Sequence, residues 1–124
     1  VKKLIQKTDI MALVYDLQVY KNSYDFLLEI FIMVHNLNRE YKYSLGEKLK
    51  NELIDLIVNI YKANITDNKS EHIKDARENI EVIRLLIRIL KDLNQISIKR
   101  YVSINIEIET ISKQLTGWYK SVQK

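Results

Sequence analysis

The 124-residue chain has no cysteine and no proline, and only two glycines and two histidines. Each shortage closes a class of explanation. Without cysteine there is no disulfide framework, no thiolate zinc site and no thiol nucleophile. Without proline, and with Gly46 and Gly117 as its only glycines, the sequence lacks the punctuation that many short strands need, so long helices are favoured. The two glycines lie far apart among helix signals, and no glycine-rich phosphate loop exists. His35 and His72 form no His-Glu-x-x-His motif, and neither follows a Glu by three residues as a di-iron bundle site requires. His35 falls in line with Tyr24, Leu28 and Phe31 and reads as a core-edge residue. Glu107 and Glu109 point to different helix faces without a partner and read as solvated charges. No catalytic residue, metal or cofactor is assigned, and the chain is not expected to be an enzyme. No apolar run approaches the roughly 20 residues of a membrane span, and the lysine-rich start leads into Thr8-Asp9 instead of a signal-peptide core. A cytoplasmic protein without a membrane partner is expected.

What is present is 47% apolar and 29% charged residues in a length suited to one domain with one core. Apolar positions recur at helical steps. Leu17, Tyr20, Tyr24, Leu27, Leu28, Phe31 and Val34 mark a helix from about Asp16 to Leu37. Ser44-Leu45-Gly46-Glu47 has the form of a capping box, opening a second helix with the stripe Leu45, Leu49, Leu53, Leu56, Ile60 and Ala63. A third helix begins between Asn68 and Ser70 and runs through Leu93, and Ser97 caps a fourth. Residues 102–109 alternate apolar and polar as a strand would. The longer series Tyr101, Ile104, Ile108, Ile111, Leu115, Trp118 and Val122 keeps helical spacing and decides for a helix. The expected architecture is all-α, an antiparallel up-down four-helix bundle over residues 16–124. Residues 1–15 form a lead-in, either a short helix packed on the bundle or a mobile arm.

The apolar surface exceeds what one core can hide. On the third helix ten apolar residues spread over roughly 220° of the circumference at about 100° per residue, where a bundle helix usually hides an arc of about 100°. They include Val82, Leu85 and Ile89. The second helix carries an extra seam of Ile54, Val58, Tyr61 and Ile65. Two seams imply two neighbours, so a homo-oligomer or an obligate partner is expected, unless residues 1–15 cover part of them.

Net charge is +4, a mild bias towards polyanions. On the third helix Arg77, Arg84, Arg88 and Lys91 project within about 60° of one another, with Lys74 at the margin. Lys99 and Arg100 start the next helix and could extend the stripe. Guanidinium groups in a row suit phosphate, and repetition around an oligomer would raise the local potential. The plainer reading is a solvated helix face paired with Glu81 and with acids on neighbouring helices. Tyr41, Tyr43, Tyr61, Tyr101 and Tyr119 could offer stacking faces for bases, although core-edge roles are commoner for such residues.

Several stretches, in order, resemble the accessory variability determinant proteins of diversity-generating retroelements: Leu17-Gln18-Val19-Tyr20-Lys21, Arg39-Glu40-Tyr41-Lys42-Tyr43-Ser44-Leu45-Gly46, Ile60-Tyr61-Lys62-Ala63-Asn64, the run from Arg84 to Leu93, and Gly117-Trp118. The similarity covers about residues 17–120. The wider superfamily includes proteins encoded by intervening sequences in 23S ribosomal RNA genes. Their second helix ends in a proline-containing motif that this chain lacks. The resemblance implies a four-helix protomer in a pentameric barrel that binds the element's reverse transcriptase and its template RNA in support of mutagenic cDNA synthesis; DNA is a further candidate partner. The chemistry would belong to the polymerase. Arg84, Arg88 and Lys91 lie within a matching stretch, whereas Lys74 and Arg77 rest on helical geometry alone. Two other readings stay open: an RNA-binding bundle of the intervening-sequence type, and a structural oligomer whose arginines are spent on internal ion pairs.

Overall fold

The computed structural model describes the backbone of residues 7–123 and the side chains of residues 18–123. Four long helices, α1 (Lys7–His35), α3 (Leu45–Ile65), α4 (Lys69–Asp92) and α5 (Ile98–Val122), are joined by short connections, and a single turn, α2 (Arg39–Lys42), occupies the first. The long helices pack in a ring, α1 on α3, α3 on α4, α4 on α5 and α5 on α1. Cross-helix pairs fix their directions. Asn22 meets Gln114 near one end of α1 and α5 while Arg100 meets Glu29 nearer the other, and Lys91 meets Tyr101 while Arg77 meets Tyr119 along α4 and α5. Each neighbour therefore runs antiparallel, the up-down four-helix bundle expected.

The core follows from helical spacing. Leu49, Leu53, Leu56, Ile60 and Ala63 of α3 are buried, with Leu45 at the edge. From α4 come Ile73, Ala76, Ile80, Ile83, Leu86, Ile87 and Leu90, and from α5 Ile104, Ile108, Ile111, Leu115 and Trp118. Full burial of each aliphatic side chain contributes about 1.5–3 kcal/mol. Residues 102–109 are helical, and their alternation has a physical cause. Ile104 and Ile108 face the core while Val102 and Ile106 face outward, so two apolar faces of one helix imitate a strand pattern.

In α1 the structure turns the expected face: Val34 of that stripe is buried and Leu27 and Phe31 pack at the core edge, but the buried arc is centred elsewhere. Val19, Ser23, Phe26, Ile30, Met33 and Val34 are buried together with Leu37, whereas Tyr20, Tyr24 and Leu28 of the expected stripe are exposed; the side chain of Leu17 lies outside the described residues. Burying two tyrosines would strand two hydroxyl groups, but Ser23 costs the core only one small hydroxyl, without a partner among the described residues. His35 shares the outward face and is exposed, not at the core edge. The helix also begins at Lys7 instead of about Asp16, so residues 7–15 have helical backbone; residues 1–6 lie outside the described residues, as do any side-chain contacts of the lead-in.

The capping box does not form. Ser44 precedes α3, but its hydroxyl donates to the Glu40 carbonyl at 2.7 Å, and Glu47 pairs with Lys50 at 2.9 Å. The α2 turn claims the serine first. Gly46 is what lets that turn lie close: a Cβ there would stand 2.8 Å from Val34 Cγ1 and 3.2 Å from the Tyr41 carbonyl oxygen. Ser97 does cap α5, accepting from the Arg100 N–H at 3.1 Å. Helix α4 ends in a Schellman arrangement, with Asn94 at φ 59°, its N–H on the Lys91 carbonyl and the Gln95 N–H on the Leu90 carbonyl.

Candidate nucleic-acid interface

Arg77, Arg84, Arg88 and Lys91 do converge, along the groove between α4 and α5, and each has found a partner there. Arg77 lies over the Tyr119 ring, 4.9 Å from its centroid. The Arg84 guanidinium reaches Glu81 at 3.2 Å and Glu109 at 3.3 Å. Partial burial works against its charged form, but the hydrogen bonds and charges of those two acids outweigh it and hold the pKa above its ordinary value. Arg88 bonds Asp92 at 3.2 Å, which raises its pKa as well. Lys91 sits 3.4 Å from the same carboxylate and over the Tyr101 ring at 5.4 Å. Lys74 and Lys99 are exposed. Arg100 leaves the stripe: its guanidinium turns towards α1 and meets Glu29 at 3.3 Å.

Glu107 and Glu109 are not solvated charges without partners. Glu109 holds Arg84, and Glu107 lies in a cleft of about 250 Å³ between α1 and α5, beside Asp25 and Glu29. Burial, then the neighbouring Glu29 carboxyl, push Glu107 up to about 7 against the opposing pull of Arg100. Helical spacing alone could not reveal this pair, because Glu29 and Glu107 meet only once α1 and α5 are packed. His35 is exposed and His72 half-buried, and among the described residues no three His, Asp or Glu gather as a metal site would.

The expected interface residues face outward on two helices. Ile54, Val58, Tyr61 and Ile65 form an exposed row on α3, and Leu85 is exposed on α4 with Val82 and Ile89 half-buried beside it. Sequence reading missed two further rows. On α1, Tyr20, Tyr24, Leu28 and Ile32 stand at four-residue steps, the first two with rings 6.1 Å apart and stacked. On α5, Ile98, Val102 and Ile106 form an outward ridge, the last 63% exposed. The rows of α1 and α3 share one side of the bundle, opposite the side made by α4 and α5.

The helical order and these strings of residues have a known counterpart. The family model of the bAvd-like proteins matches residues 17–122. The chain belongs to the bAvd-like family. The match begins within α1 and reaches the end of α5, so it takes in the whole ring of helices. The likeness to accessory variability determinants read in the sequence is borne out. Its stretch from Arg84 to Leu93 is the C-terminal part of α4 with its cap, and Arg39 to Gly46 is α2 with its junction to α3. A crystal structure of a protein with unknown function from the S23 ribosomal protein family, from Bacteroides thetaiotaomicron VPI-5482, is similar in fold. It has a TM-score of 0.79 and 20% identity, over 86% of this chain and 98% of that one. No curated protein matches the chain. Among the described residues no helix is long and apolar enough to cross a membrane.

Proposed function

We propose that this bAvd-like chain is a non-catalytic accessory subunit of a diversity-generating retroelement, a homo-oligomer, expected to be a pentamer, that binds the reverse transcriptase and template RNA. The observation that carries the reading is the joint presence, on a family member, of outward apolar rows and of a basic groove on the opposite side. The apolar rows suit subunit contacts, because a monomer rarely exposes contiguous apolar surface on two adjacent helices. Two unlike apolar surfaces, one on α1 and α3 and the other on α4 and α5, suit head-to-tail association, which gives a ring when the rotation between subunits closes. The groove residues Arg77, Arg84, Arg88 and Lys91, with Lys74 and Lys99 near them, supply the phosphate contacts. Their ion pairs do not forbid this, since exposed pairs are worth about 0–1 kcal/mol and a phosphate can displace the carboxylate.

The reading is tested by measuring mass in solution and RNA affinity at two salt concentrations in one buffer. A multimer near five subunits with affinity falling steeply in salt is expected. A second reading, a structural oligomer, draws on the fact that Arg84 holds two acids and Arg88 one. It requires a multimer without salt-dependent RNA binding. Co-purification with a reverse transcriptase separates the retroelement reading from an intervening-sequence type.

A further inference from the structure

The positive charge of the chain is concentrated at one end of the bundle. Residues 35–50 and 88–100 make up the connections from α1 to α3 and from α4 to α5 with their flanking turns. They hold eight Lys or Arg and three acids, a net charge of +5. The whole chain is +4, so the remainder is −1. The groove arginines are paired, but Arg39, Lys42, Lys48 and Lys99 at this end form no ion pair with a described residue. A phosphate meeting them displaces only water and counterions.

Two features of the same end are not about charge. Tyr43 is 65% exposed, more than any other described aromatic residue, with Lys42 Nζ 5.6 Å from its ring centroid. In the connection between α4 and α5 lies an open depression of about 620 Å³, lined by Lys91, Asn94, Gln95 and Ser97 among others. The Asn94 side chain has no hydrogen-bond partner among the described residues. The platform is fixed. Gln95 accepts from the Asn38 N–H at 3.1 Å and so ties the two connections together, while Gly46 lets the start of α3 lie close to both Val34 and the Tyr41 carbonyl of α2.

From these observations we infer that the end of the bundle bearing α2 binds single-stranded RNA, with Arg39, Lys42, Lys48 and Lys99 on phosphates, a base stacked on Tyr43, and the Asn94 amide in the depression reading a base edge. The inference rests on the nucleic-acid reading above and moves the principal contact from the groove of α4 and α5 to this end. A duplex would satisfy the cations, but its base faces are hidden in the stack. Only a flexible strand offers a face to a tyrosine and an edge to an amide.

The experiment uses the full chain and fluorescence anisotropy of a labelled oligouridine and of an RNA duplex, at low and moderate salt. Circular dichroism checks that variants keep their fold, as they should with these exposed side chains. Arg39→Glu with Lys48→Glu should weaken both probes more than tenfold and flatten the salt dependence. Tyr43→Ala should weaken the single strand about tenfold and leave the duplex unchanged. Arg84→Glu with Arg88→Glu, which removes secondary phosphate contacts, should weaken both probes as well, but less than Arg39→Glu with Lys48→Glu does. Loss of binding in that groove variant, with the end variants intact, would overturn the inference while keeping the nucleic-acid reading. Unaltered single-strand binding by Tyr43→Ala would assign the end to a duplex or an acidic protein and overturn it too. Wild-type protein that binds neither probe would remove the underlying reading itself.

Discussion

The two opposite sides of the bundle are built from the same helical repeat and present different chemistry. On the side of α1 and α3, rows of Tyr20, Tyr24, Leu28 and Ile32 and of Ile54, Val58, Tyr61 and Ile65 lie outside an equally apolar core. On the side of α4 and α5, the outer positions hold Arg77, Arg84, Arg88, Glu81 and Glu109, beside an aliphatic ridge on α5 and the exposed Leu85 on α4. The first surface gains by leaving water, so it suits another protein. In the second, each of those arginines already has a partner of modest worth, so it can exchange that partner without a large penalty. One core can thus support a surface that asks to be covered and another that tolerates either state.

Substitutions can sharpen that contrast, beginning with what both sides share. Trp118→Ala empties a buried site near the C-terminus of α5 and should cost about 3–5 kcal/mol of unfolding free energy, read by urea denaturation. A loss confined to the contacts of α5 would mean that the two sides do not rest on one core. Next, Tyr24→Lys with Tyr61→Lys charges the apolar side. Subunit affinity should fall by about 30-fold or more, with the fold retained, as seen by sedimentation. An unchanged assembly would show that this side is not the contact. Glu107→Gln probes the cleft between α1 and α5. The Glu107 carboxyl has an ordinary value of 4.5 and is raised to about 7 in the fold, so the folded chain binds the extra proton between those values. Stability therefore falls as pH rises from 4.5 through about 7, and the penalty is complete above that range. The amide should restore about 1 kcal/mol above pH 7, after allowance for solvent screening, and nothing well below 4.5. The smallest effect is expected from Arg84→Met, within about 1 kcal/mol, because its ion pairs are half-exposed. A larger loss would turn the groove from an exchangeable surface into a structural one.

Much of the fold was legible because α3, α4 and α5 each carry one uninterrupted aliphatic series, such as Leu49, Leu53, Leu56 and Ile60. In α1 the true series is broken by Ser23, while the tyrosines one face away keep the same spacing, so periodicity favoured the wrong face. The outward rows of α1 and α5 escaped notice for a related reason: a row is recognised as surplus only when the core row beside it is known. The basic stripe was visible on one helix, but its partners were not. Glu109 and Tyr119 reach it from α5, and no one-helix projection contains them. The meeting of Glu29 with Glu107 is likewise a product of packing.

The up-down order of the helices has a consequence for the electrical character of the end that bears α2. That end gathers the C-termini of α1 and α4 and the N-termini of α3 and α5. Two negative and two positive helix poles meet there, and their macrodipoles largely cancel. The backbone therefore contributes almost no net field, and the sign of that end is written in side chains alone. Because those side chains lie outside the core, a few exchanges between lysine and glutamate could reverse the polarity of the molecule while the bundle beneath remained as it is.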